Sequence, residues 1–346
     1  MSFNKAFGKN PELAELDKVR QSKNYSKTAF KNFSETVLMA ENSSMLKKIW
    51  KFLNKPAYTN PPATLPSQKT NLKAINSSQP VIVWFGHSSY FIRVNNKNIL
   101  VDPVFSGNAS PFSFGAKSFK GSDIYTTDDF PEIDLLIITH DHYDHLDYKT
   151  VVKLKPTIKQ VVTSLGVASH FLYWGFDAER VVELDWWESK KLFSEINITA
   201  APARHFSGRS FNRNKTLWSS FILQTGNYNF YIGGDSGYDK HFKEIGSQYG
   251  PFDIAILECG QYNLDWHQIH MMPEETVQAA LDLKTKLLLP VHWAKFSLAL
   301  HPWDEPIKRV SAKAKEVNLA ITTPMIGEPV YLEQSLPGSK WWEAVK

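Results

Sequence analysis

Residues 137–147 read Ile137-Ile138-Thr139-His140-Asp141-His142-Tyr143-Asp144-His145-Leu146-Asp147, and this stretch decides the fold. Three of the chain's 11 histidines fall within six positions of it, directly after an apolar strand pattern. Neutral imidazole and carboxylate are ligands that zinc accepts, and the spacing His-x-His-x-Asp-His can supply two neighbouring ions from one loop. The stretch therefore predicts a metal site rather than a solvated polar loop.

The length and composition of the chain favour one large globular domain with an extension. Its 346 residues exceed the roughly 250 to 300 over which a single hydrophobic core usually grows. Aromatic residues make up 13%, including 11 Trp, which favours an apolar groove or a densely packed core. The net charge of +4 comes without a dense basic face, so we expect no nucleic-acid partner. Composition indicates no oligomeric state.

Cysteine and hydropathy patterns bear on the ligands and the compartment. The single Cys259 excludes an internal disulfide framework and a thiolate cage, which leaves histidine and carboxylate as metal ligands. The first residues lack the apolar core of a secretion signal, and no run approaches the ~18 to 20 apolar residues that span a bilayer. We therefore expect a cytoplasmic protein, with or without peripheral contact at a membrane.

Residues 1–78 differ from the rest of the chain and are predicted to form a partly helical N-terminal arm. They are polar and rich in Asn, Ser and Lys, and prolines mark an extended crossing near their end, at Pro56, Pro61, Pro62 and Pro66. Residues 79–346 are predicted to form the catalytic domain.

One segment of the arm, residues 44–53, has the pattern of a basic amphipathic helix. An apolar face and a basic side separate on a helical projection: Leu46, Ile49, Trp50 and Leu53 on the first, Lys47, Lys48 and Lys51 on the second. Such a helix can lie on a membrane surface or dock on the protein's own body. Peripheral membrane contact through the arm is therefore one expectation.

From Val81 onward, strand patterns interleave with helix patterns, which is typical of a layered α/β protein. Strands are predicted at residues 81–84, 90–94, 99–103, 135–138, 161–163, 196–200, 219–223, 230–232, 254–257 and 287–289, with a turn at 95–98. Residues 273–281 are predicted to form a helix, because proline and acids occupy its first turn.

More candidate ligands follow the ends of later strands. His205, Asp235 and His292 each come just after a predicted strand. Loops at one end of a sheet converge in space, so these residues can meet the loop of residues 140–145. The resulting set suits two ions: His140, His142 and His205 on one, Asp144, His145 and His292 on the other, with Asp235 bridging. Taken singly, each of the three could instead be a loop histidine, a turn cap or a core histidine.

Other polar residues are weaker candidates. His270 could contact substrate, support a ligand or lie plainly on the surface, and together with Asp144 and Asp235 it is a candidate catalytic residue. Asp102 and Asp147 could orient ligand imidazoles, or cap a helix and form a turn. The role of His87 stays open. The remaining histidines are expected to be ordinary: His170, His241, His267 and His301.

These motifs resemble the metallo-β-lactamase superfamily, whose fold is an αββα sandwich with a dinuclear zinc site. More narrowly, residues 140–147, 214–218, 234–238, 250–253, 270–275 and 292–293 resemble the N-acyl-phosphatidylethanolamine-hydrolysing phospholipases D. The similarity covers about residues 80 to 332, so the arm lies largely outside it. The resemblance implies two Zn²⁺ per chain, a phospholipid or small phosphodiester substrate, and cleavage to N-acylethanolamine and phosphatidic acid.

Competing functions on the same fold stay open. A lactonase acting on a phosphorylated sugar lactone and another phosphodiesterase are the main alternatives. A lipid substrate needs an apolar channel, which could be lined by Trp186, Trp187, Phe206, Phe211 and Trp218 unless these form core. A di-iron oxygen-reducing protein is disfavoured because Asp141 replaces the glutamate of that motif. A structural zinc module is disfavoured because such sites are closed and usually rich in cysteine.

Overall fold

The computed structural model describes residues 3–39, 54–112, 115–210 and 212–346. Two β-sheets pack face to face at its centre, and helices cover their outer sides. The predicted α/β class and αββα sandwich are thereby confirmed. The predicted amphipathic helix of residues 44–53 and the aromatic Phe211 lie outside the described residues.

The elements of the described residues are numbered in chain order. The strands are β1 Tyr25–Ser26, β2 Ala29–Phe30, β3 Val81–Trp84, β4 Tyr90–Val94, β5 Lys97–Val101, β6 Ile133–Ile138, β7 Ile158–Ser164, β8 Val181–Leu184, β9 Ser189–Leu192, β10 Ile196–Ala201, β11 Ser220–Thr225, β12 Tyr228–Ile232, β13 Ile254–Glu258, β14 Leu288–Val291 and β15 Pro329–Tyr331. The α-helices are α1 Phe3–Ala6, α2 Ala14–Arg20, α3 Tyr148–Leu154, α4 Ala168–Tyr173, α5 His241–Gln248, α6 Pro273–Asp282 and α7 Glu305–Glu316.

The two large sheets each combine an antiparallel and a parallel part. The first has the strand order β15-β3-β4-β5-β6-β7-β8, with β5 to β8 parallel to their neighbours. The second has the order β14-β13-β12-β11-β10-β9, with β12, β13 and β14 parallel. Parallel strands end at the same edge of a sheet, and ligands typically bind in the crevice beyond those ends. The loops after β6, β12 and β14 therefore meet.

The core follows from the two-residue period of the strands. In β3, Ile82 and Trp84 face the second sheet, while Val81 and Val83 pack beneath the outer helices. All residues of β6 are buried, because a parallel strand covered on both faces reads as a nearly continuous apolar run. This rigid strand leads directly into the loop with the candidate ligands.

The turn between β4 and β5 is shorter than predicted. The sequence predicted a turn over residues 95–98, but β5 already begins at Lys97. Asn95 and Asn96 alone form the turn, with φ angles of 48° and 57°. Asparagine tolerates this left-handed backbone, and a two-residue turn of this kind matches the twist of a hairpin. Lys97 and Asn98 therefore pair with β4 instead of forming a loop.

The described part of the arm packs against the sandwich. Val19 and Phe30 share a buried apolar cluster with Leu217 and Trp218 of the body. Further along, the Leu65 N–H donates to the Lys120 carbonyl at 2.9 Å, so the proline-rich crossing also follows the body. The division of the chain at residue 78 stays a prediction. Within the described ranges, no helix has the length and apolar character required to cross a bilayer.

Candidate metal centre

The loop after β6 carries four of the predicted ligands. It folds back on itself because the backbone N–H groups of His145 and Leu146 both donate to the His142 carbonyl, at 3.1 and 2.8 Å. The turn places His140 and His145 deep in the structure, while His142 and Asp144 are only half-buried. Four side chains from six consecutive positions thus point towards one region.

The first cluster consists of three imidazole nitrogens. His140 Nε2 and His205 Nε2 lie 3.0 and 3.2 Å from His142 Nδ1. The opposite nitrogens are used as donors: His205 Nδ1 donates to the Ile269 carbonyl at 2.9 Å, and His140 Nδ1 to Thr139 Oγ1 at 3.0 Å. With these tautomers, lone pairs face one another across the cluster. Nitrogens bound tetrahedrally to zinc at about 2.0 to 2.1 Å lie about 3.3 Å apart, so the cluster fits one ion.

The second cluster combines Asp144, His145 and His292. Asp144 Oδ2 lies 3.6 Å from His145 Nε2 and 3.5 Å from His292 Nε2. Both Nε2 atoms are buried and have no hydrogen-bond partner. A buried polar atom without a partner is costly, and a bound cation would satisfy it. This set therefore fits a second ion.

Asp235 lies between the two clusters. Its Oδ2 is 3.2 Å from His145 Nε2 and 3.3 Å from His292 Nε2, and 3.8 Å from the Nε2 atoms of His140 and His205. Its Oδ1 is buried without a hydrogen-bond partner. The carboxylate thus reaches both clusters, as expected for a bridging ligand. The structure brings together all the predicted ligands, and their binding of metal remains the prediction.

The charges of the cluster compensate one another strongly. Burial alone would lower the pKa of His292, but Asp235, Asp144 and Glu258 raise it to about 10. Burial alone would raise the pKa of Asp235, but His145 and His292 hold it well below its ordinary range. Histidine binds a metal ion only as neutral imidazole, so metal affinity should fall as the pH falls.

Asp102 and Asp147, each of which could orient a ligand imidazole or serve as a cap or turn residue, have different roles in the structure. Asp102 Oδ2 accepts a hydrogen bond from His145 Nδ1 at 2.8 Å, so it orients an imidazole. Asp147 instead accepts from the backbone N–H groups of Lys149 and Ser106, at 3.1 and 2.9 Å, and caps α3. The sequence is compatible with both roles for each residue, and the structure assigns one role to each.

His87 supports a candidate ligand. Its Nε2 lies 2.8 Å from Asp144 Oδ2, and the ring is fully buried beside His292. Burial and the neighbouring His292 lower the pKa of His87 to about 3, so the ring is neutral and donates its Nε2 proton to the carboxylate. One oxygen of Asp144 is thereby fixed in direction.

Sequence reasoning missed Glu258. This fully buried acid ends β13 and accepts hydrogen bonds from His270 Nδ1 at 2.6 Å and from the Met271 N–H at 3.1 Å. It also lies 3.2 Å from His292 Nδ1. The signal in the sequence was an acid at the end of an otherwise apolar strand. This position is close to that of the predicted ligands, which follow strands.

A second group that sequence reasoning missed supports the loop after β6, called the ligand loop below. Asp141 accepts from the Gly208 N–H at 2.7 Å and from Thr216 Oγ1 at 3.0 Å, and His170 Nε2 lies 3.3 Å away. The buried Arg209 donates to the carbonyls of Asp141 and Leu146, both at 2.7 Å. His170 was expected to be ordinary, but it is part of this support.

A cleft of about 250 Å³ opens above the two clusters. The apolar lining residues, called the apolar wall below, are Leu38, Met39, Phe206, Trp266, Ile269 and Leu298. Arg213 also lines the cleft, and its guanidinium carbon lies 5.3 Å from the centre of the Phe206 ring. His270 lies on the cleft wall, held there by Glu258.

Of the aromatic residues considered for a channel, Phe206 lines the cleft. Trp186 and Trp218 belong to the buried cluster beneath the arm, so for these two the core interpretation applies. Trp187 is half-buried and packs against the core. The arm contributes Leu38 and Met39 in their place, which the sequence did not indicate.

Residues 97–293 match the family described as the Beta-lactamase superfamily domain. The chain belongs to this superfamily and has its metallo-hydrolase fold. It is 37% identical over 327 residues to an uncharacterized protein of Mycobacterium tuberculosis. The matched region covers 93% of this chain and 88% of that protein. The resemblance to the phospholipases is confirmed: an N-acyl-phosphatidylethanolamine-hydrolyzing phospholipase D of Caenorhabditis elegans is 30% identical over 286 residues, 77% of this chain and 80% of that protein.

A solved structure shares the fold. Igni18, a metallo hydrolase from the archaeon Ignicoccus hospitalis, superposes with a TM-score of 0.58 over 74% of this chain and all of its own length. Its sequence is 21% identical, so the likeness concerns the fold alone.

Proposed function

We propose that the chain is a dinuclear zinc phosphodiesterase of the phospholipase D type. It would hydrolyse N-acyl-phosphatidylethanolamine-like phospholipids to N-acylethanolamine and phosphatidic acid. The observation that carries the proposal is the pair of ligand clusters, joined by Asp235, at the base of a cleft with an apolar wall. The similarity to the nematode phospholipase supports this branch of the superfamily.

The chemistry divides between the ions and the protein. Two zinc ions, when bound, would make hydroxide available at neutral pH and stabilise negative charge on the phosphoryl oxygens. Asp144 and Asp235 would hold the ions, Asp144 with the direction that His87 gives its carboxylate. His270 is the candidate for proton transfer. Glu258 accepts a hydrogen bond from the Nδ1–H of His270, which leaves Nε2 to give a proton to the leaving group or take one from water.

The cleft suits an anionic, partly apolar substrate. Arg213 places a permanent positive charge beside the clusters, where it can pair with a phosphodiester oxygen. Leu38, Met39 and Phe206 offer an apolar surface for acyl chains. A phosphorylated sugar lactone or a β-lactam would leave this surface in contact with water. The apolar wall therefore favours the lipid over the other substrates of this fold.

Two exposed apolar side chains that neighbour cleft-lining residues in sequence form a candidate rim for membrane contact. Leu264 and Val37 are 77% and 48% exposed. Val37 precedes the cleft-lining Leu38, and Leu264 lies two residues before the cleft-lining Trp266. A contiguous exposed apolar patch rimmed by polar residues can mark contact with a partner or a membrane. We propose that these side chains enter the lipid interface so that substrate passes directly into the cleft. A contribution from residues 44–53 stays a prediction.

Metal analysis combined with a substrate panel tests the function. We expect about two zinc ions per folded chain, and faster turnover of N-acyl-phosphatidylethanolamine and simple phosphodiesters than of lactones or β-lactams. Folded, carefully purified protein without any transition metal would refute the metal centre. Much faster turnover of a lactone would retain the metal centre and replace the phospholipase assignment with the lactonase alternative.

A further inference from the structure

An asparagine of the N-terminal arm holds the backbone of one candidate metal ligand. Asn32 Nδ2 donates to the His205 carbonyl at 2.8 Å, and Asn32 Oδ1 accepts from the His205 N–H at 3.0 Å. The same oxygen accepts from Trp218 Nε1 at 3.0 Å. One side chain thus binds both peptide groups of His205, in the way that a neighbouring strand would.

His205 needs such a partner because it lies beyond the sheet. Strand β10 ends at Ala201, so no ladder hydrogen bond fixes the backbone at residue 205. Its imidazole is nevertheless fully buried, with Nε2 only 3.2 Å from His142 Nδ1. A ligand that must keep this spacing requires a fixed Cα position as well as the hydrogen bond from Nδ1 to Ile269. Asn32 supplies the backbone constraint.

The arm reaches His205 already anchored on both sides. Before Asn32, the Phe30 N–H donates to the Asn214 carbonyl at 2.8 Å, and the Phe30 ring is buried in the cluster with Trp218. After it, Arg204 donates to the Glu35 carbonyl at 2.8 Å and to Thr36 Oγ1 at 3.0 Å. The Asn32 side chain is therefore pre-positioned, so little conformational entropy is lost when it binds His205.

We propose that Asn32 is a positioning residue of the metal centre, which holds His205 in place for metal binding. The inference rests on the proposed dinuclear centre and is independent of the substrate. Partners that orient a metal ligand typically contribute about 10- to 100-fold in metal affinity. Loss of Asn32 should therefore lower the affinity for the ion at His140, His142 and His205 by about this factor. The ion at Asp144, His145 and His292 should be affected less.

Cobalt titration of metal-stripped protein tests this role, because bound Co²⁺ reports its ligand geometry in its absorption spectrum. The variants are Asn32→Ala and, as a matched control, Asn24→Ala, which also removes a hydrogen bond from the arm to the body, to Asp185 Oδ1 at 3.0 Å. We expect two tight equivalents in the parent and in Asn24→Ala. Asn32→Ala should bind one equivalent tightly and the second about 10-fold or more weakly, with an altered spectrum.

A second variant covers the case in which Asn32→Ala does not fold. Asn32→Ser leaves room for water at the freed peptide groups of His205, so it should fold but still bind the second equivalent weakly. If the folded Asn32 variants bind two equivalents with the affinity and spectrum of Asn24→Ala, the positioning role is overturned, whatever their melting temperature. A parent protein that binds fewer than two equivalents would overturn the dinuclear centre and this role together.

Discussion

The carboxylate of Asp102 lies 2.8 Å from His145 Nδ1 and links two neighbouring strand ends to one candidate ligand. Asp102 follows β5, and it also accepts from the backbone N–H and the hydroxyl of Thr139, after β6, at 2.9 and 2.6 Å. Burial raises the pKa of Asp102, although the hydrogen bonds from His145 and Thr139 oppose this. The carboxylate thus fixes both the tautomer of His145 and the start of the ligand loop.

Asp102→Ala should release His145 and weaken zinc binding by about 10- to 100-fold, because a ligand imidazole loses its orienting partner. Zinc affinity measured by chelator competition checks this. Asp147→Ala is the matched control: it removes the cap of α3 and should lower the free energy of unfolding by about 1 kcal/mol without changing zinc affinity. Equal zinc affinities in the two variants would contradict the assignment of Asp102.

Asp235→Ala should lose zinc from both clusters together with activity. Its Oδ2 lies within 3.8 Å of nitrogens in each cluster, so removing it opens a coordination position on both ions. Zinc content per chain and turnover of a simple phosphodiester are the two measurements. Full activity with two zinc ions bound would remove Asp235 from the site.

The candidate ligands were predictable because each follows an apolar strand. Three of the ligands lie within three residues of a strand end: His140 after β6, Asp235 after β12 and His292 after β14. The two sheets bring these strand ends together. Local sequence alone therefore indicated the positions, and fold topology explains why they meet. The buried strands were predicted for the same reason, since β6 and β13 are continuous apolar runs.

Other features depend on contacts that local sequence does not contain. Asn32 meets His205 across 173 positions of the chain, and nothing near Asn32 marks it as functional. Strand β9 reads Ser-Lys-Lys-Leu and is mostly exposed, so it has no apolar pattern, yet it pairs with β10 at the sheet edge. Trp218 was ambiguous because a lipid channel and a core have the same composition. Packing of the arm decides that it is core.

Arg213→Gln should raise the KM for an anionic phosphodiester while leaving kcat nearly unchanged. The guanidinium is permanently charged, and hydrogen bonds to charged groups contribute about 1.5 to 3 kcal/mol, which corresponds to a change of tenfold or more. Steady-state kinetics of Arg213→Gln and Arg213→Lys provide the measurement, with Lys expected to retain part of the effect. Arg180→Gln, which removes a surface pair with Asp177, is the control. An unchanged KM in Arg213→Gln would exclude contact with the substrate's charge.

Lys295 should make the free energy of unfolding rise with pH above 8. Its ammonium group is fully buried and donates to the carbonyls of Val104 and Phe85, at 2.9 and 3.3 Å, and burial lowers its pKa to about 8. Between this value and the ordinary 10.5, the unfolded chain binds more protons than the folded chain, so stability increases with pH there. The expected gain is about 3 kcal/mol across the window.

Lys295→Met should lose this pH-dependent component. Urea unfolding of the parent and the variant at pH 7, 8, 9 and 10 compares the two slopes, and other titrating groups cancel in the difference. The carbonyls of Val104 and Phe85 lose their donor in the variant, which lowers its stability equally at every pH. A constant difference across this range would show that Lys295 keeps an ordinary pKa.

Leu264→Glu and Val37→Glu should weaken binding to phospholipid vesicles without slowing hydrolysis of a short, soluble phosphodiester. Both side chains are exposed and lie within two residues of cleft-lining residues, and burying one leucine-sized side chain contributes about 1.5 to 3 kcal/mol, so each charge should cost on the order of tenfold in vesicle affinity. Leu281→Glu, at an exposed apolar position of α6 that does not line the cleft, is the matched control. Co-sedimentation measures the binding. Equal sedimentation of all three variants with the parent would reject the rim as the membrane contact and leave the metal chemistry of the cleft unaffected.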